Sequence, residues 1–158
     1  MVIRVFAAAA SAATPLAAFD RALHVGQVHD TNLIKLSSIV PPGAEVKRET
    51  VGEGTYRFGD RLYCVLAEQR IVERGGEAWA GLAWACDANG GGGVFVEAFG
   101  HSEHQVQYDL ERSLASLIED RSYLSFDDRQ YEVVGIACEE QPVCALVMAV
   151  FEAEPWPA

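Results

Sequence analysis

No apolar run in this 158-residue chain reaches the roughly 20 residues that a membrane-spanning helix requires, so a cytoplasmic protein is expected. Basic charge is scarce as well. Twelve Lys and Arg stand against 23 Asp and Glu, a net charge of −11 that opposes binding to nucleic acid or an anionic membrane and favours cationic ligands. Zinc-ligand spacing is missing: Cys64, Cys86, Cys138 and Cys144 lie in apolar alternating runs without Cys-x-x-Cys or paired histidines. No metal site is expected, and the cysteines read as reduced core thiols. The glycine run Asn89 to Gly93 lacks the Lys-Ser/Thr of a phosphate-cradling loop and reads as a flexible connector. Met1 to Phe6 followed by alanines has the outline of a secretory leader, yet its apolar part is short and Leu-poor, and removing it would delete the first predicted strand.

Half of the residues are hydrophobic and 22% are charged, which fits one globular domain over residues 1–158 that buries about two-thirds of its unfolded surface. Val2 to Ala8 reads as a buried strand leading into a small-residue loop at Ala9 to Ala13. Thr14 and Pro15 open a helix striped by Leu16, Phe19 and Leu23, with Gly26 at its end and Asp20 beside the stripe. A short strand is expected at Asn32 to Leu36, and a short strand or loop at Glu45 to Thr50. Arg61 to Val72 and Glu77 to Cys86 form two longer ones joined around Gly75-Gly76, a hairpin signal. After the strand Val94 to Phe99, Ser102 and Gln105 make a capping-box pattern for a helix striped by Val106, Leu110, Leu114, Leu117 and Ile118. Gln130 to Cys138 and Val143 to Phe151 complete the chain. This order predicts an α+β layered sandwich in which helices cover largely antiparallel sheets.

The stretch most charged with chemistry is Asn32-Leu33-Ile34-Lys35-Leu36-Ser37-Ser38-Ile39-Val40-Pro41-Pro42-Gly43. An apolar run delivers two serines to a point where Pro-Pro-Gly forces the backbone away. Held in a strained turn, the Ser38 hydroxyl could attack the Ser37 carbonyl and exchange the peptide bond for an ester. β-Elimination would then release residues 1–37 with a C-terminal carboxylate and leave a dehydroalanine that hydrolyses, with loss of ammonia, to a pyruvoyl group at the head of residues 38–158. A Ser-Ser pair in a turn is by itself ordinary structure.

The whole stretch, however, resembles the processing site of the pyruvoyl-dependent arginine decarboxylases, with Asn32, Leu33, Ile34, Ser37, Ser38, Ile39 and Pro41 all in place. Ala18 to Leu23 and Gly93 to Glu97 resemble that family's other marked segments, in the same order. The resemblance implies an αββα sandwich assembled as a homotrimer with active sites between subunits, a covalent pyruvoyl cofactor made from Ser38, and conversion of L-arginine to agmatine and carbon dioxide. Such a carbonyl condenses with the substrate amine and accepts the electrons left at Cα, which no ordinary side chain can do.

The resemblance also assigns roles. Asn32 would position and polarise the Ser37–Ser38 bond during the cut. Glu97, in an apolar strand where burial favours the protonated carboxyl, would supply a proton after carbon dioxide leaves. Asp20 would accept two parallel bonds from the guanidinium, with Leu23 and Ile39 as apolar walls for the substrate's methylenes. In one departure, Ala7 to Ala13 stand where glycines are expected before the Asp20 helix, which puts pocket shape in question. Two alternatives stay open: decarboxylation of another cationic amino acid, and a non-processing homologue serving as a binding or regulatory subunit.

Overall fold

The computed structural model describes residues 1–52, 54–127 and 129–157. Along the described chain run β1 (Val2–Ser11), α1 (Pro15–Val25), β2 (Asn32–Lys35), β3 (Ile39–Val40), β4 (Glu45–Arg48), β5 (Arg61–Ile71), β6 (Glu77–Cys86), β7 (Gly93–Gly100), α2 (Glu103–Glu119), β8 (Gln130–Ala137) and β9 (Val143–Glu154). They form two sheets, with strand orders β2-β5-β9-β1-β4 and β3-β7-β6-β8. The second sheet is antiparallel throughout, whereas the first has parallel pairs at its two edges, β2 with β5 and β1 with β4. α1 packs on the first sheet, α2 on the second, and the sheets face each other. The layers are therefore α, β, β, α, as expected. Among the described residues, no helix is long and apolar enough to cross a membrane.

Three apolar layers follow from strand alternation. Ile3, Val5, Val65, Ala67, Leu82, Trp84, Phe95 and Val147 fill the space between the sheets. Phe6, Ala8, Ala10, Leu62, Leu66 and Met148 meet Ala18, Ala22 and Leu23 of α1. Val94, Val96 and Ala83 meet Val106, Leu110 and Leu114 of α2. Gly81 makes that last approach possible, because a Cβ there would stand 2.8 Å from Leu110 and 3.0 Å from Val133. The cysteines serve this packing: burial pushes the Cys64 thiol up to about 11 and Cys144 up to about 12, away from nucleophilic chemistry.

Both helix starts follow the sequence. Thr14 Oγ1 accepts from the Ala17 amide at 3.1 Å and Ser102 Oγ from the Gln105 amide at 3.3 Å, caps that contribute about 0.5–2 kcal/mol each.

Three expectations are corrected. The alanines after Ala8 do not form a loop but continue β1 to Ser11, because alternate small side chains let α1 sit close to the sheet. For the same reason α1 packs through Ala18, Ala22 and Leu23, leaving Leu16 67% exposed. The Gly75-Gly76 turn does not close a hairpin. It carries the chain from one sheet to the other, since β5 pairs with β2 and β9 while β6 pairs with β7 and β8. The Gly75 amide donates to the Cys138 carbonyl and the Cys138 amide to the Gly76 carbonyl, both at 2.8 Å, so the turn is tied to the end of β8.

Candidate active site at the serine corner

β2 belongs to the first sheet and β3 to the second, so residues 36–38 are one of the chain's crossings between the layers. On one side the Leu36 amide donates to the Cys64 carbonyl at 2.9 Å; on the other, the Phe95 amide donates to the Ser38 carbonyl at 2.8 Å. Ser38 is thus fixed between two sheets. Its φ is +67°, a left-handed conformation that costs a residue bearing Cβ roughly 1–2 kcal/mol. The Ser38 hydroxyl donates to Glu97 Oε1 at 2.8 Å. Ile39 pairs with Val94, so Ser38 and Glu97 are diagonal neighbours on one face of the second sheet. A strained backbone next to the Ser37–Ser38 peptide, a hydroxyl nucleophile and a carboxylate at that hydroxyl meet at one point.

Glu97 lies on the face of β7 that also carries Phe95, and Phe95 is buried between the sheets. Glu97 and Phe99, further along the same face, are exposed, Phe99 by 58%. Glu97 is therefore exposed rather than buried as its apolar strand had suggested. Ile39, beside Ser38, is 51% exposed.

The other assigned residues stand elsewhere. Asn32 begins β2, and four residues of extended chain put it about 13 Å from Leu36. Its Nδ2 donates to the Gly59 carbonyl at 2.7 Å, an acceptor shared with Trp156 Nε1 at 2.9 Å. Asp20 is exposed on α1, with Oδ2 3.6 Å from His24 Nε2. Leu23 is 6% exposed and packs in the core beneath α1. Asp20 and Asn32 are joined by a chain of contacts through His24, His29, Asp30 and Gly59. Ser38 and Glu97 make a second, separate centre.

Sequence reasoning missed Asp87. Although 7% exposed and charged, it follows β6 immediately and accepts the Gly91 amide at 2.8 Å and the Ser125 amide at 2.7 Å. Those two hydrogen bonds outweigh burial and hold its carboxyl below the usual range. The supposed flexible connector is consequently an ordered turn. It also supports the serine corner: the Gly43 amide donates to the Gly90 carbonyl at 3.0 Å, and Gly92, at φ +105°, lies so near the Val40 carbonyl that a Cβ would stand 2.6 Å from it. An Asp separated by two residues from Gly was the available signal for such a turn. Because the folded carboxyl titrates below its unfolded value of about 3.9, its stabilisation is present above that pH and is lost as pH falls through the lower folded value. The difference in melting temperature between the wild type and Asp87→Asn should therefore narrow from pH 5 to pH 3; a constant difference would exclude this linkage.

Taken together, fold and site define an αββα protein whose inter-sheet corner presents a strained serine to a carboxylate. The chain belongs to the pyruvoyl-dependent arginine decarboxylase family, whose sequence model (PvlArgDC) matches residues 2–154. Among its relatives is a pyruvoyl-dependent arginine decarboxylase of Halobacterium salinarum, 38% identical over 96 residues that make up 61% of this chain and 59% of that one. This match thus spans less than two-thirds of the relative's length. A pyruvoyl-dependent arginine decarboxylase of Pyrococcus horikoshii is 28% identical over 146 residues, covering 91% of this chain and 90% of the relative. Among solved structures, a pyruvoyl-dependent histidine decarboxylase overlays 69% of this chain and 56% of its own, with TM-score 0.46 and 14% identity.

Proposed function

We propose that this chain cuts itself between Ser37 and Ser38, retains a pyruvoyl group at residue 38, and decarboxylates L-arginine to agmatine and carbon dioxide in the cytoplasm. The reading is carried by the 2.8 Å contact between Glu97 and a Ser38 held at positive φ. The left-handed backbone at Ser38 raises the energy of the intact corner, and the ester relieves it. Glu97 accepts a hydrogen bond from the Ser38 hydroxyl in the intact chain, and after the cut it is placed to give a proton to the substrate's Cα. The pyruvoyl group supplies the electron sink for the departing carboxylate's bond pair. Asp20 holds the guanidinium, Ile39 and Leu23 border the methylenes, and Asn32 acts at the bond to be cut.

Assembly as a homotrimer with sites between subunits belongs to the same reading. It is supported by the separation of the Asp20–Asn32 end from the Ser38–Glu97 corner, and by the exposure of Glu97, Ile39 and Phe99 on a face that a second copy could cover.

Specificity is tested at Asp20. Asp20→Asn replaces a charge-assisted two-bond contact with a poorer one, a loss of about 1.5–3 kcal/mol. The kcat/KM for arginine should fall roughly 10- to 100-fold relative to that for a neutral analogue. Equal losses would remove Asp20 from guanidinium recognition, and preferential turnover of an amino acid ending in an ammonium would favour the broader cationic decarboxylase.

A further inference from the structure

We propose that His24 is a specificity-setting positioning residue, whose imidazolium competes with the substrate guanidinium for Asp20. This rests on Asp20 being the guanidinium partner. His24 lies in the last turn of α1, with Nε2 3.6 Å from Asp20 Oδ2 one turn earlier. Its ring stacks on that of His29, with centroids 3.8 Å apart and planes at 18°. His29 in turn places Nε2 3.8 Å from Asp30 Oδ2, while its Nδ1 is buried without a hydrogen-bond partner among the described residues.

The groups facing this pair come from several elements. Asp20 lies on the same helix and Asp30 on the following turn; Tyr56 and Arg57 line, with His29, a cavity of about 200 Å³. On β5 beneath the helix, Arg70 is paired with Glu68 and lies over Phe19. Arg21 is turned to the Ser11 carbonyl.

Two stacked imidazoles repel if both are charged, whereas a charge on His24 alone faces the Asp20 carboxylate. His24 lies at a helix C-terminus, one turn after that carboxylate, where the helix dipole and Asp20 both attract a proton. With the proton there, Asp20 is engaged. A guanidinium, with two parallel donors, displaces the imidazolium more effectively than an ammonium, so acid conditions sharpen the preference for arginine. When the pair is neutral, Asp20 is free for either cation.

The test is steady-state kinetics of the self-cleaved enzyme from pH 5.5 to 8.5 with arginine, comparing the wild type, His24→Gln and His29→Gln. Ionisation of the substrate's own α-amine is common to all three, so differences between them isolate the histidines. On the acid side the wild-type KM should rise roughly two- to five-fold more than that of His24→Gln, the range an exposed ion pair supports. The effect should be carried by KM, with kcat following one profile in both. In His29→Gln, where His24 and Asp20 keep their contact, the acid-side rise should persist. A wild-type KM profile in His24→Gln would overturn the proposal. Cleaved wild-type enzyme that uses a neutral amino acid but not arginine would overturn the arginine reading and this proposal together, whereas the first result leaves the arginine reading standing.

Discussion

Ser38→Ala is expected to remain a single chain of 158 residues under conditions in which the wild type separates, on denaturation, into residues 1–37 and 38–158. Without the hydroxyl neither the ester nor the elimination can form, so the effect is complete rather than graded. The substitution also removes the hydrogen bond to Glu97, while the backbone bond from the Phe95 amide to the residue 38 carbonyl remains, so the corner should stay folded. In the wild type the two products should stay together until denatured. β1 lies between β9 and β4, and α1 is packed on the sheet they form, which embeds the short product in the longer one's core. Intact mass under denaturing conditions, beside size exclusion under native ones, reads both statements. Intact wild-type chain after prolonged incubation would remove the cofactor and favour a binding or regulatory role.

The second large effect is expected at Glu97. Glu97→Gln keeps an oxygen that can accept the Ser38 hydroxyl, so the corner retains its geometry and the chain should still be cut. What disappears is a group able to hold and return a proton. Arginine decarboxylation should therefore fall by roughly 10²–10⁴, the contribution of a positioned general acid, with the loss in kcat rather than KM. Mass analysis establishes that the variant is cleaved before its rate is measured. Cleaved Glu97→Gln with normal turnover would assign the proton to another group, and an uncut variant would place Glu97 in the maturation step instead.

Much of this protein was legible as local pattern. The bounds of β6, the Thr14 and Ser102 caps and the stripe of Val106, Leu110 and Leu114 follow from propensity and period, which act within a few residues of chain. The serine corner was legible for the same reason, since two serines followed by Pro-Pro-Gly constrain the backbone wherever the segment lies. The α+β layered sandwich also came through from the order of strands and helices, while the αββα arrangement was what the family resemblance implied.

Which strands pair was not legible. Alternation tells a strand that it has two faces but not whose amides it will meet, so Gly75-Gly76 looked like a hairpin and is a crossing between sheets. Nor could periodicity foresee that α1 would turn its alanines, rather than Leu16, to the sheet; that choice depends on how closely β1 lets the helix approach. The same division runs through the site. The sequence by itself determined that Ser37 and Ser38 stand at a turn. Only the tertiary structure decided that Ser38 adopts φ +67° under Glu97, because Leu36 and Ser38, two residues apart, are held by different sheets and the carboxylate arrives from a strand 59 positions away.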